Sequence, residues 1–412
     1  MRSKPAKTAP SVQAEPPPPA TRLPELDFLR GLVMVVMVLD HAWYFFSSAR
    51  NYPLIESELP TVSVPMFFTS WFAIFCAPVF VVLAGLGTYF QLVKGGSRSA
   101  VQQFLITRGL WLVVLDVTVV HWLQHFSWGV MITLVLWGIG WAMLGLAVLL
   151  WLPTRWVGIV GVGLLVSQNM LDGRDLGVLA GSDSWFRSGW IFLRHPGWLL
   201  GTPPQMLLTT SLLPYLGFIS LGFAAGELYR LPVETRRRWL VVGGIGCLFA
   251  FALLRLSGFY GDPHPWQPSH DFKLRCLSFL NVSNLPPSLQ FALLSLGGMS
   301  LVLVALESNS RLLEKAWLTT LGRVPMFFYL LQWLLLHLLA IALAAALGKP
   351  LGWLFAGNDT RIYRPFGWTP DAGYSLPVVY AMWLLTVALA YPLCAWFAAV
   401  KRKYRWWWLR YM

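Results

Sequence analysis

The chain has 412 residues, of which 57% are hydrophobic and only 12% charged, and its mean hydropathy is +0.59. A soluble domain carries about 25% charged residues, so a water-soluble globule is excluded. The net charge of +13 does not indicate nucleic acid, because the basic residues fall in short clusters between apolar runs, the pattern of loops beside a membrane.

Residues 1–21 are rich in Pro, Ala and Lys and lack the apolar content to fold. They read as a disordered cytoplasmic arm, followed by one membrane domain over 22–412. A spanning helix needs about 20 mostly apolar residues. On that criterion ten transmembrane helices are predicted, over 26–46, 65–92, 104–124, 129–151, 156–171, 206–229, 239–257, 286–308, 324–347 and 377–400. The fold class is an all-α polytopic membrane bundle, to which 23 tryptophans suited to bilayer interfaces add support. The first apolar run is too long for a signal-peptide core and no small-residue cleavage site follows it, so it stays as a helix. The fifth is short and glycine-rich, and reads as tilted or half-inserted.

With the N-terminus in the cytoplasm, 21 of the 31 lysines and arginines fall in inner segments. The inner set includes Lys94, Arg98, Arg155, Arg236, Arg311, Lys315 and Lys401. That bias puts both termini in the cytoplasm, and the expected location is a bacterial inner membrane. The outer loops 172–205, 258–285 and 348–376 are long and rich in Trp, Asp, His, Arg and Pro, which suggests recognition outside. Cys76, Cys247 and Cys394 lie in apolar runs and only Cys276 is in a long loop, so neither a disulfide framework nor a cysteine metal site is expected. No internal repeat is visible, unlike the paired halves of many transporters.

Chemistry-bearing residues stand out against this background. Arg30 and His41 are 11 residues apart, about three helical turns, so they share one face some 16 Å apart along the axis. Arg30 sits at the inner boundary and the Asp40–His41 pair in the outer half, an arrangement that suits a two-ended substrate. An interfacial anchor and a polar helix exit would look the same. Asp116 lies inside an apolar run, where a carboxylate is expensive and faces a bundle interior or wet cavity; a structural pairing between helices is the alternative. His121 and His125, at i and i+4, have metal-ligand spacing but no evident third ligand, and interfacial histidines beside Trp122 and Trp128 are the plainer reading. In the segment Gly258–Trp266, Asp262 and His264 are placed to bind a polar acceptor, or to fold a cap on the bundle. Arg323 precedes the ninth helix, which also carries Gln332 and His337. Together Arg30, Arg108 and Arg323 could clamp phosphates, although positive-inside bias accounts for each singly.

These motifs carry a resemblance. Leu26-Asp27-x-x-Arg30-Gly31 leading to Asp40-His41 is similar to the start of the membrane acyltransferase superfamily. Further blocks, Cys76–Gly85, Thr107–Trp111, Tyr260–Pro263, Phe279–Val282, Pro286–Ser288, Gly322–Pro325 and Gly373–Pro377, resemble the bacterial relatives of the heparan-α-glucosaminide N-acetyltransferase catalytic domain. The resemblance runs through nearly all of 22–412. It implies transfer of an acetyl or other acyl group from cytoplasmic acetyl-CoA, as co-substrate, to an extracytoplasmic sugar, glycan or lipid-linked sugar, with no metal. The CoA would lie toward Arg30, Arg108 and Arg323. His41 would be general base or transient acyl carrier, oriented by Asp40 or Asp116, and Asp262, His264 and His121 would bind the acceptor. In the eukaryotic enzymes Asn stands at the position of His41 and their His falls further along, where this chain has Tyr52. In the wider superfamily a His does end the first helix, which supports His41. Bacterial relatives often have His at the position of Gln332. The partners expected are acyl-CoA, the acceptor and the bilayer, with no nucleic acid; a homodimer is allowed. A proton-coupled transporter or flippase for a polar solute or lipid-linked sugar is the alternative, with Asp116 and His121 coupling protons. A non-catalytic scaffold for envelope assembly is a third reading.

Overall fold

A computed structural model describes residues 23–48, 59–60, 62–129, 131–171, 185–194, 197–200, 206–308, 313, 316–355, 358–359, 364–365, 370–404 and 406–411. The expected arm 1–21, Tyr52, Arg311 and Lys315 lie outside the described residues.

The architecture is an all-α membrane bundle. Among the described residues eight helical segments are long and apolar enough to cross a membrane. Two shorter helices fill the remaining predicted positions. In chain order the first elements are α1 (Pro24–Phe46), α2 (Val64–Ala73), α3 (Cys76–Val93) and α4 (Arg98–Leu115). A π-helical turn, Asp116–Val120, continues α4 into α5 (His121–His125). A strand β1 (Met131–Thr133) then leads to the short helices α6 (Val135–Leu149) and α7 (Thr154–Ser167). Next come α8 (Trp185–Leu193), strands β2 (Gly197–Leu200) and β3 (Met206–Leu208), α9 (Leu212–Ala225), α10 (Val233–Ser257) and α11 (Phe272–Leu280). The chain closes with α12 (Leu289–Glu307), α13 (Trp317–Gly322), α14 (Pro325–Ala346) and α15 (Leu376–Lys403).

Local chemistry sets these boundaries. The Ser63, Ser97 and Ser288 hydroxyls accept from the backbone N–H groups of Met66, Ala100 and Phe291 and so cap three helix starts. Pro65, Pro325 and Pro377 sit in first turns, where a missing N–H costs nothing. The helix predicted over 65–92 is broken at Ile74–Phe75. Pro78 explains the break, since its ring collides with the carbonyl four residues back, that of Ile74.

Two expected helix starts are corrected. The predicted 129–151 becomes helical only at Val135, and 206–229 only at Leu212. The residues before them form β1 and β3, paired in parallel from Met131 opposite Met206 to Thr133 opposite Leu208, with β2 antiparallel on the other side of β3. Thr133 and Leu208 are buried among the helices. Backbone away from water needs internal partners, and strand pairing supplies them where the chain folds back inward. The outer segment 258–285 likewise holds a helix, α11, inside the expected loop.

Helix α1 is the axis of the bundle: 67% of its apolar window is buried, against 22% for α10 at the periphery. The outward stripe of α10, including Trp239, Ile245 and Phe249, is left for lipid. Helix α1 meets α13 at backbone distance. A Cβ on Gly31 would stand 1.9 Å from the Leu318 carbonyl oxygen, and one on Gly322 1.8 Å from that of Asp27. Only glycine fits at either position, which is the physical content of the Arg-Gly and Gly-Arg pairs at 30–31 and 322–323.

Candidate active site

The closeness of α1 and α13 fixes three charges. Asp27 and Arg30 are one turn apart on α1, and the Asp27 carboxylate accepts from Arg30 Nη1 at 2.9 Å. Arg323 stands in the break between α13 and α14, with its Nε 3.9 Å from the other Asp27 oxygen. Asp27 is nearly buried while both guanidiniums remain a quarter exposed, so the carboxylate anchors two cations whose donors still reach open space. Arg108, on α4, joins them in lining a chamber of about 360 Å³. In the sequence Asp27 stands out only as part of the Leu26-Asp27-x-x-Arg30-Gly31 motif, with no role of its own. Its signal was its place three residues before Arg30, the spacing of a helical ion pair.

A second chamber of about 210 Å³ holds Asp40, His41, Tyr44, Gln124, Thr210, Tyr215 and Trp333. Met37, Val135 and Tyr329 line both chambers and form the boundary between them. The first helix therefore lines both chambers. Arg30, Met34 and Met37 face the first chamber, and Met37, His41 and Tyr44 the second, at steps of three and four residues that keep them on one face.

His41 is held by rings. It stacks on Trp333, with centroids 3.9 Å apart, and meets Tyr329 edge-on at 6.1 Å. Gln332, fully buried, lies near the imidazole, but no hydrogen bond joins them: the Gln332 amide atoms and His41 Nδ1 all lack a partner among the described residues. No hydrogen bond joins Asp40 or Asp116 to His41 among the described residues. Consecutive helix residues diverge by about 100°, which separates Asp40 from its neighbour's ring. Asp40 still faces the chamber, with a buried oxygen that has no partner among the described residues.

Asp116 is engaged elsewhere. Its carboxylate accepts from the Leu134 N–H at 2.7 Å, with the N–H groups of Leu136 and Trp137 close by. It caps the inward-facing start of α6, where unsatisfied N–H groups and the helix dipole favour an anion. A helix that begins inside a bundle cannot be capped by water, and Asp116 caps it from the π-helical turn that follows α4.

The expected acceptor residues line neither chamber. The Asp262 carboxylate accepts from Ser283 N (2.8 Å), Ser288 Oγ (2.7 Å) and His264 N (2.9 Å), tying its loop to the start of α12. His264 is exposed, and its backbone carbonyl accepts from Arg255. The buried Arg255 also donates to the carbonyls of Phe279, Ser278 and Asn281, so this segment is a pinned cap. His121 is buried beside His125 and Trp128. His125 Nδ1 lies 3.1 Å from the His121 carbonyl oxygen, which can only accept. Its Nε2 then accepts from the Tyr44 hydroxyl at 3.2 Å, which steadies one wall of the second chamber. His337 is clamped between the carbonyls of Leu123 and Leu354. Among the described residues no group of three or more His, Cys, Asp or Glu is placed to hold a metal ion.

Residues 22–252 match the family model described as heparan-alpha-glucosaminide N-acetyltransferase, catalytic. The match includes Arg30, Asp40, His41, Arg108 and Asp116, while Arg323, Tyr329, Gln332 and Trp333 come from the part of the chain beyond it. No curated protein matches the chain.

Proposed function

The chain belongs to the heparan-alpha-glucosaminide N-acetyltransferase catalytic family, a family of acetyltransferases, and from that premise we propose that it moves an acetyl or other acyl group from acyl-CoA on the cytoplasmic side to a sugar or glycan amine or hydroxyl on the other. One observation carries the reading: an arginine-lined chamber and an Asp–His chamber lie side by side, sharing Met37, Val135 and Tyr329 in their walls. The guanidiniums of Arg30, Arg108 and Arg323 hold the phosphates of CoA, and Asp27 keeps two of them in place. Bidentate donors of this kind match phosphate geometry. The pantetheine arm runs along the Met34–Met37 face toward the junction. His41 accepts the proton of the acceptor's amine or hydroxyl as it attacks. Gln332 and the Trp333 face set the imidazole's orientation. Asp40 lies close enough in the same chamber to favour the positive charge that His41 gains.

The excess of Lys and Arg on inner segments supports an inner position for the arginine chamber and both termini in the cytoplasm, in a bacterial cytoplasmic membrane. Transfer by direct attack needs no covalent acyl-His. The aromatic walls and the short reach between chambers suit a complex that holds both substrates together.

The test uses purified protein in detergent with labelled acetyl-CoA and an amino-sugar acceptor. His41→Ala is expected to lower transfer by about 10²–10⁴-fold while binding CoA with nearly unchanged affinity. Full transfer by His41→Ala, or no CoA binding by the wild type, would sink the reading. Solute flux into vesicles without any acyl donor would replace it with transport.

A further inference from the structure

At the junction of the two chambers one polar side chain has no assigned task. Tyr329, in the second turn of α14, lines both chambers and is 3% exposed. Its hydroxyl has no hydrogen-bond partner among the described residues. The indole N–H of Trp333, one turn along α14, is likewise without a partner among the described residues. An indole can only donate, so it could not take the Tyr329 proton, which has no acceptor among the described residues. Buried polar groups are nearly always satisfied, and an exception calls for a reason. The other two shared lining residues, Met37 and Val135, offer only apolar side chains there.

We propose that Tyr329 is a catalytic residue whose hydroxyl donates a hydrogen bond to the thioester carbonyl oxygen during transfer. This rests on the acyl-transfer reading above. The acceptor nitrogen or oxygen attacks the carbonyl carbon, forming the C–N or C–O bond, and its proton passes to His41. The carbonyl oxygen gains negative charge in the tetrahedral state, where the Tyr329 O–H stabilises it. The C–S bond then breaks, the electron pair leaves on sulfur, and the His41 proton goes to the thiolate to give free CoA. Tyr329 keeps its proton throughout. A donor of this kind belongs where the reacting carbon must sit, between the arginines that hold the CoA phosphates and the histidine that receives the acceptor's proton. The T-shaped contact with the His41 ring puts both groups at that point. A donor fixed in advance and left unpaired in the ground state acts mainly on the transition state.

The substitution Tyr329→Phe separates this role from a packing role. It removes one hydroxyl, keeps the ring and breaks no hydrogen bond, so packing alone predicts unchanged transfer and an unchanged or raised melting temperature. The proposal predicts the same melting behaviour with a kcat lower by about 10²–10³-fold. It also predicts a KM for acetyl-CoA within about threefold of wild type, and a Kd for free CoA, which has no carbonyl at this point, likewise within about threefold. Transfer by Tyr329→Phe within about threefold of wild type would overturn the proposal alone. So would a rate loss matched by an equal loss of CoA affinity, which would make Tyr329 a binding group. Absence of transfer in the wild type would overturn both this role and the acyl-transfer reading. Should Tyr329→Phe prove unstable in detergent, Tyr329→His restores a donor on a ring. Recovery of at least part of the rate relative to Tyr329→Leu is then the supporting result, and equal inactivity of the two the opposing one.

Discussion

The two chambers are built from opposite kinds of polar group. In the first, charges are long, partly exposed and anchored: Asp27 fixes Arg30 directly and lies near Arg323. In the second, polar atoms are short, buried and unspent: an Asp40 oxygen, Gln124 Oε1, Thr210 Oγ1 and the Tyr329 hydroxyl have no partner among the described residues. Flexible cations suit a highly charged ligand that must arrive from water. Fixed, unpaired donors and acceptors in an aromatic box suit a reaction, because they cost no reorganisation as charge develops. The contrast separates affinity from rate, and substitutions on each side should divide accordingly.

The largest effect in the first chamber is expected from its arginines. Arg30→Ala or Arg108→Ala removes hydrogen bonds to a charged group, worth about 1.5–3 kcal/mol. That weakens CoA binding by about 10–150-fold, with kcat changed far less. A kcat loss without an affinity loss, from isothermal titration beside steady-state rates, would erase the distinction between the chambers.

Asp116 gives an intermediate test, since it lies near the second chamber but serves α6. Asp116→Asn, still a good capping side chain, should keep transfer within about threefold of wild type. Asp116→Ala should cost about 0.5–2 kcal/mol of stability, read as a lowered melting temperature in detergent. Abolished transfer in a stable Asp116→Asn protein would move Asp116 from scaffold to proton carrier. The smallest effect is expected at His264, whose carbonyl rather than whose ring is used. His264→Ala should alter transfer by less than about twofold and stability by under about 0.5 kcal/mol. A raised KM for the acceptor would return this loop to the site.

The first helix was legible because a helical period and charged residues in an apolar run are both visible in one dimension. Arg30 and His41 fall on one face by count alone, and the structure puts that face on both chambers. The inward strands were not legible. Met-Ile-Thr at 131–133 and Met-Leu-Leu at 206–208 are too short and too apolar to differ from the helices they precede, and only their pairing across the fold makes them strands. Tyr329 was hidden in the same way, within Met-Phe-Phe-Tyr-Leu-Leu, where any aromatic suits a bilayer. Asp116 was visible as an expensive carboxylate, but not its partner, because Leu134 N–H is a backbone group and leaves no mark in the sequence. Asp262 and His264 looked like acceptor ligands since turn-rich polar loops serve recognition and capping alike, and the donors that occupy Asp262 come from residues up to 26 positions away.

The stack of His41 on Trp333 joins the first spanning helix to the ninth. Translation proceeds at about 5–20 residues per second, so the imidazole is made some 15–60 s before the ring that holds it. During that interval the half-built bundle lacks Arg323, Tyr329, Gln332 and Trp333 together. A chain that stalls or is truncated in the membrane therefore carries its histidine without the wall that orients it. On the proposed acyl-transfer reading, competence comes only late in synthesis, with the last of these side chains.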